Sequence, residues 1–199
     1  MLQCLSAKSR LYQKNEYIFH LDQSAEFVGV VLSGGCHVIQ EDFWGNRTIV
    51  AHIGKGQLFG EAFTCADVKK LPVSVVATSA SEILFIDLKR IVSTCSSSCD
   101  FHTQIILNMM KILANKNILL TQKIEHITKR TIRDKVLSYL SSCAVSSMSE
   151  TVVIPFSRQE LADYLGVQRS ALSREISAMK SDGLLDYNKN QFTLKKQLD

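Results

Sequence analysis

Between Gly60 and Gly166 the chain has no glycine, although it has nine in all, seven of them at or before residue 60. Glycine supplies the tight turns of hairpins, so the early part is turn-rich and the glycine-free stretch is open to long helices. No apolar run approaches the roughly 18 residues of a membrane span, and Met1-Leu2-Gln3-Cys4-Leu5-Ser6 lacks the layout of a secretory signal. These absences predict a cytoplasmic protein with no membrane partner. The excess of one sign of charge is also small: a net +4 over 199 residues permits nucleic-acid binding without demanding it. No internal repeat is visible.

Catalytic and metal motifs are missing too. The sequence holds no glycine-rich phosphate loop, no G-x-S-x-G elbow and no H-E-x-x-H helix. Six cysteines (Cys4, Cys36, Cys65, Cys95, Cys99 and Cys143) are scattered through a chain too large to need disulfide staples, and most of them read as small buried or half-buried hydrophobes. Cys95 and Cys99 are spaced C-x₃-C rather than the C-x₂-C of zinc sites. The five histidines, His20, His37, His52, His102 and His126, are dispersed and unpaired in sequence, and no motif supports a haem ligand among them. The chain therefore reads as a non-enzyme.

What is present begins with strands. Alternating apolar residues between Gly-Gly and Gly-Asn turns predict strands at Phe27–Leu32, Cys36–Glu41, Arg47–Ile53, Ser74–Ala77 and Glu82–Asp87, the pattern of a sandwich or roll. Leu88–Ser93 reads as a helical turn, and Ser96-Ser97-Ser98 as a polar break capping the next helix.

Near the C-terminus the pattern becomes specific. Ser157 can cap a helix and Glu160, three residues on, completes a capping box. Leu161, Tyr164 and Leu165 share one face, and Gly166 suits a left-handed turn. In the next helix Leu172, Ile176 and Met179 form the inward stripe, leaving Arg169, Ser170, Ser173 and Arg174 outward. A major groove admits one α-helix, where arginine grips guanine O6 and N7 with two parallel bonds and serine meets base edges or phosphate. Arg174 is the strongest candidate for base contact, with Ser157 and Gln159 beside it. Two strands, 183–187 and Gln191–Leu194, flank the turn Asn188-Lys189-Asn190, a wing with Lys189 at its tip set for phosphate.

The segments Arg158-Gln159-Glu160-Leu161-Ala162, Leu165-Gly166 and Leu172-Ser173-Arg174-Glu175 resemble the signature of the Crp/Fnr group of bacterial transcription regulators. Gly56-Gln57-Leu58-Phe59-Gly60-Glu61 resembles a motif of that group's first half. The resemblance covers nearly the whole chain and rests on both motifs in this order. It implies an α+β architecture: an N-terminal β-roll (a double-stranded β-helix, cyclic-nucleotide-binding-like) in residues 1–99, a dimerisation helix in 100–127 and a winged helix-turn-helix in 128–199. It also implies a homodimer that binds double-stranded DNA and works with RNA polymerase. Family members carry a further stretch ahead of the part matching Lys14–Phe19, so the chain reads as short at its start. The clustered N-terminal cysteines of the family's iron–sulfur members are absent here. The roll also resembles metal-holding cupin barrels, but His52-Ile53-Gly54 lacks the second histidine such a site needs.

The helix from about Asp100 to Ile127 carries a second pattern. Ile106, Met110, Leu113, Asn117, Leu120, Ile124 and Ile127 alternate at spacings of four and three, the seam of a two-stranded coiled coil, in which Asn117 fixes register by pairing with its symmetry mate. A second stripe, Ile105, Met109, Ile112 and Leu119, points to contact with the roll. Two copies present two recognition helices to half-sites about 34 Å apart, so the operator is expected to be an inverted repeat. Thr128-Lys129-Arg130-Thr131 interrupts the apolar pattern before Arg133–Leu140 and reads as a hinge.

For the effector, the resemblance is informative by departure. Cyclic-AMP-binding relatives follow Gly-Glu, about ten residues on, with Arg-Ser. Here Gly60-Glu61 is followed at that place by Leu71-Pro72, which offers neither cation nor hydroxyl, and the nearby Lys69 and Lys70 lack arginine's fork. Cyclic AMP is therefore not the expected ligand, and Glu61 reads equally as a structural acceptor inside the roll. A small effector of another kind is placed by resemblance among Phe59, Gly60, Glu61, Leu71, Pro72, Val73, Asn117 and Thr121. The alternatives are an effector-independent or redox/haem-responsive regulator of this fold, or a winged helix that binds protein instead of DNA.

Overall fold

The protein is described as a computed structural model covering residues 7–24, 26–87 and 100–195. Cys4, Cys95, Cys99, the expected turn at Leu88–Ser93, the cap at Ser96–Ser98 and the side chain of His102 lie outside the described residues. Two compact units, Met1–Ala114 and Asn115–Asp199, divide the chain.

In the first unit two four-stranded antiparallel sheets form the roll, and a short helix α1 (Glu61–Cys65) follows one of their edges. One sheet runs in the order β1 (Lys8–Tyr12), β8 (Ser81–Asp87), β3 (Phe27–Ser33), β6 (Leu58–Phe59). The other runs β2 (Tyr17–Phe19), β7 (Ser74–Ala77), β4 (Gly35–Glu41), β5 (Arg47–Gly54). Tyr12, Phe19, Val31, Cys36, Ile53, Phe59, Leu71, Val75 and Ile83 pack into one core. The predicted strands correspond within one residue to β3, β4, β5, β7 and β8. The sequence reading missed β1, β2 and β6: β1 is exposed at four of its five positions, and the other two are three and two residues long, too short for alternation to register.

Two local devices hold the roll. Ser81 on β8 accepts from the Gly35 amide (3.0 Å) and donates to the Gly35 carbonyl (3.0 Å), fastening one sheet to the first residue of β4 in the other. Gly29 leaves room for Phe59: a β-carbon there would stand 2.1 Å from the ring. At the β4–β5 tip, Asp42 accepts from the backbone amides of Trp44 (2.9 Å) and Asn46 (2.8 Å) and from the Asn46 side chain (2.7 Å). These bonds, led by that from the Asn46 side chain, hold the Asp42 carboxyl below its usual pKa. The tip presents Phe43 and Trp44 to solvent, 94% and 81% exposed.

The long helix α2 (Asp100–Thr128) agrees with its predicted span to one residue. Ile105 and Met109 pack with Val28, Leu58 and Ile86 of the roll, as the second stripe led us to expect. Ile112 is half-buried, and Leu119, grouped in the same stripe, is exposed instead. Among the described residues no helix is long and apolar enough to cross a membrane.

In the second unit, Thr131 caps α3 (Ile132–Ser147) by accepting from the Asp134 amide at 3.0 Å. There follow β9 (Thr151–Val153), α4 (Arg158–Leu165), α5 (Arg169–Ser181), β10 (Leu185–Asn188) and β11 (Gln191–Leu194), the strands ordered β10-β11-β9. Val136, Leu140, Leu161, Leu165, Leu172, Ile176, Met179, Leu185 and Phe192 are buried. The wing thus has a third strand, β9, that its three-residue length hid from sequence reading.

Candidate nucleic-acid interface

Helix α4 starts where the sequence said. Ser157 accepts from the Glu160 amide (3.3 Å) while the Glu160 carboxylate accepts from the Ser157 amide (2.7 Å), so the capping box is complete. The helix ends at Gly166, whose φ of 64° is the left-handed turn that a residue without a β-carbon adopts at least cost. Helix α5 leaves this turn and buries Leu172, Ile176 and Met179. Spacings of four and three put these three on one stripe, so the remaining face must point away.

That outward face carries Arg169, Ser170 and Arg174, all exposed, with Ser173 half-buried and Ser177 exposed one turn further. Of these, Ser173 and Ser177 are linked, the Ser177 hydroxyl donating to the Ser173 carbonyl at 3.0 Å. The surrounding acids are already engaged. Arg133 holds Glu175 and Asp182 (2.6 and 2.7 Å), Lys180 holds Asp186 (2.6 Å), Gln159 donates to Asp163 (2.8 Å), and Glu160 serves the cap. Arg169 and Arg174 have no ion pair among the described residues and stand as open cations.

The β10–β11 hairpin turns through Lys189, exposed at φ 55°. Its neighbour Asn190 ties the tip to the segment before α4: the Asn190 side-chain Nδ2 donates to the Ile154 carbonyl (2.9 Å), and the Ile154 backbone amide to the Asn190 backbone carbonyl (3.0 Å). Between the two lies an open groove of about 450 Å³ lined by Pro155, Phe156, Ser157, Arg158, Lys189 and Asn190. Sequence reasoning named Arg158 only as part of the helix-turn-helix signature and gave it no contact role. Its guanidinium lies 5.1 Å from the ring centre of Tyr187 and 5.2 Å from that of Phe192, and burial lowers its pKa. Its position, at the start of α4 between Ser157 and Gln159, was the available signal. A fork of N–H donors beside a lysine, with a capped helix start between them, can grip successive phosphates of a nucleic-acid backbone.

Behind this face a ring cluster joins the end of α2 to the helix-turn-helix. Tyr164 stacks on Phe156 (4.8 Å between centroids) and meets Tyr139 at 5.3 Å, and Lys123 of α2 sets its ammonium 4.6 Å from the Tyr164 ring centre. Burial brings the Lys123 pKa down to about 8 and pushes the Tyr164 hydroxyl up to about 12. His126 meets the Ser138 hydroxyl at 2.8 Å through Nδ1, and desolvation lowers its pKa.

The coiled-coil seam positions fall on a largely open face of the single chain. Ile106, Met110, Asn117, Leu120 and Ile124 are exposed, whereas Leu113 and Ile127 are half-buried. For the effector residues, Phe59 and Leu71 share the core of the roll, Glu61 and Val73 are buried, Gly60 is half-buried and Pro72 is exposed. Asn117 and Thr121 are exposed on α2 and belong to the second unit, where the Thr121 hydroxyl donates to the Asn117 carbonyl at 3.0 Å. Cys36 is buried, Cys143 half-buried and Cys65 exposed, and burial raises the thiol pKa of the last two.

Comparison with known proteins agrees with this geometry. The cyclic nucleotide-binding domain family matches residues 9–98, and the Crp-like helix-turn-helix domain family matches residues 134–197. The CRP-like protein Clp of Xanthomonas euvesicatoria pv. vesicatoria is 23% identical over 181 residues, 88% of this chain and 79% of that protein. Among solved structures, FixK2 from Bradyrhizobium japonicum superposes with a TM-score of 0.76 at 20% identity, covering 96% of this chain and 93% of that one. The c-di-GMP responsive global regulator CLP of Xanthomonas campestris gives 0.77 at 20% identity, covering 98% and 97%.

Proposed function

Because the chain belongs to the Crp/Fnr family of transcription regulators, we propose that it acts as a cytoplasmic homodimer that reads an inverted-repeat operator in double-stranded DNA. The observation that carries this is the open face of α5, where Arg169, Ser170, Ser173 and Arg174 lie together and every nearby acid is engaged elsewhere. Arg174 makes the base contact. Ser157, Gln159, Arg158 and Lys189 hold the backbone, which sets register without reading sequence.

Residues 1–99 serve as the sensor, 100–127 as the pairing helix and 128–199 as the reader. The seam from Ile106 to Ile127 pairs with its copy: its exposed apolar side chains gain by burial, and Asn117 meets Asn117. Thr128–Thr131 is the joint about which an effector changes the spacing of the two readers. The effector is a small molecule other than cyclic AMP, because Leu71 and Pro72 stand where a cation and a hydroxyl are needed. The regulated machinery is RNA polymerase.

Selection of bound sequences from random duplex DNA, with and without cell extract, tests the reading. An inverted repeat with half-sites about one helical turn apart is the expected product. A monomer that retains no duplex at modest salt removes it. Calorimetry with cyclic AMP and c-di-GMP as separate probes tests the effector assignment.

A further inference from the structure

Helix α5 is attached to the rest of its unit in two physically different ways. Leu172, Ile176 and Met179 bury an apolar stripe, an attraction that is non-directional and tolerates sliding or rolling of a helix by small amounts. Arg133, in the first turn of α3, adds directional contacts. Its Nε donates to Glu175 Oε1 at 2.6 Å, and its Nη2 reaches Asp182 Oδ2 at 2.7 Å. These carboxylates are seven residues apart, Glu175 within α5 and Asp182 at its C-cap, about two turns on, and so lie on nearly the same side of it.

Two anchors on one helix, held by one planar guanidinium, fix both the roll of α5 about its axis and its position along that axis. A lysine cannot do this, because it offers a point charge without a fork. The base of the clamp is itself set: Thr131 caps α3 through the Asp134 amide, and the Thr131 hydroxyl donates to Asp134 Oδ2 at 2.7 Å. Glu175 is the residue next to Arg174, the residue assigned to base contact, so the clamp acts directly beside the reading side chain. All three side chains of the clamp remain partly exposed, at 37%, 29% and 48%, so the ion pairs add little to stability. Their effect is on aim.

We propose that Arg133 is a positioning residue for sequence discrimination, holding α5 through Glu175 and Asp182 at the roll and depth at which Arg174 meets its base pair. The role rests on the DNA-reading function above. Bidentate readout tolerates little misplacement, and a tilted α5 keeps its phosphate contacts while losing the base contact.

The test compares Arg133→Met and Arg133→Lys in the full chain, by titration onto the selected operator, onto the operator changed at the Arg174 base pair, and onto random duplex. Discrimination at that base pair falls about tenfold in Arg133→Met, and Arg133→Lys, despite its charge, restores only part of it. Affinity for random duplex in Arg133→Lys, and its dependence on salt, stay at the parent level. In an Arg174→Ala background Arg133→Met costs the operator no further affinity, whereas a merely structural role would weaken operator binding in that background too. If Arg133→Met does not fold, Asp182→Asn, which keeps the Glu175 anchor, gives an intermediate loss. Unchanged discrimination in folded Arg133→Met, or equal losses on operator and random duplex, overturns the role of Arg133 alone. A parent protein with no sequence preference overturns the DNA-reading function first.

Discussion

The Lys123 ammonium lies 4.6 Å from the ring centre of Tyr164, joining the last turns of α2 to the first helix of the helix-turn-helix. Burial opposes its charge and lowers its pKa to about 8, while the ring face favours the charge and offsets part of that cost.

Stability should therefore depend on pH through Lys123. Its folded pKa is below the unfolded value of 10.5, so between about pH 8 and 10.5 the unfolded chain binds more protons, and stability rises with pH. Below pH 8 both states are protonated and the slope vanishes. Tyr139 and Tyr164, whose hydroxyl pKa values burial raises, act in the opposite direction from about pH 10 upward. Lys123→Met should remove the rise. Urea unfolding of both proteins at pH 7.5 and 9.5 checks this. A parent curve that is flat or falling over that interval contradicts it.

Arg174→Ala should cost about 1–3 kcal/mol on the selected operator and relax preference at one base pair. Lys189→Ala should weaken all duplexes alike and reduce the salt slope by about one. Fluorescence anisotropy across a salt series separates the two. Equal losses on operator and random duplex for both variants would leave Arg174 without a reading role.

Asn117→Leu should tighten self-association about tenfold and loosen its stoichiometry, since the seam then lacks the polar pair that penalises other registers. Sedimentation velocity shows whether dimers persist to lower concentration and whether trimers appear. A variant that sediments as a monomer refutes the seam.

Gly29→Ala should destabilise the roll by about 1–3 kcal/mol, because the new methyl would stand 2.1 Å from the Phe59 ring. Phe59→Leu in the same chain should recover part of that loss. Hydrogen exchange of the β3 amides reads the effect; protection equal to the parent's is the contrary outcome.

What was legible in the sequence was what neighbours along the chain decide. The capping box of Ser157 and Glu160, the turn at Gly166 and the stripe Leu172, Ile176, Met179 all arise within a few residues of one another, and each was read correctly. Hairpin strands showed through their alternation and glycine turns. The clamp was not legible, because Arg133 and Glu175 are separated by 42 residues and nothing local distinguishes that arginine from a solvated one. The contact role of Arg158 was missed for the same reason, as its rings come from the distant wing. The effector residues were read as a motif, but burial of Phe59, Glu61 and Leu71 depends on how two sheets close, which no short window encodes.

The Asp42-held tip has an optical consequence. Trp44 is the only tryptophan in the chain, and it is already surrounded by water in the folded roll. Its emission should be red-shifted and quenched by iodide before any denaturant is added, and should change little when the helix-turn-helix melts. Of the five tyrosines, the three in the second unit, Tyr139 and Tyr164 inside the ring cluster and Tyr187 in the wing, are the chromophores whose absorbance will follow that event.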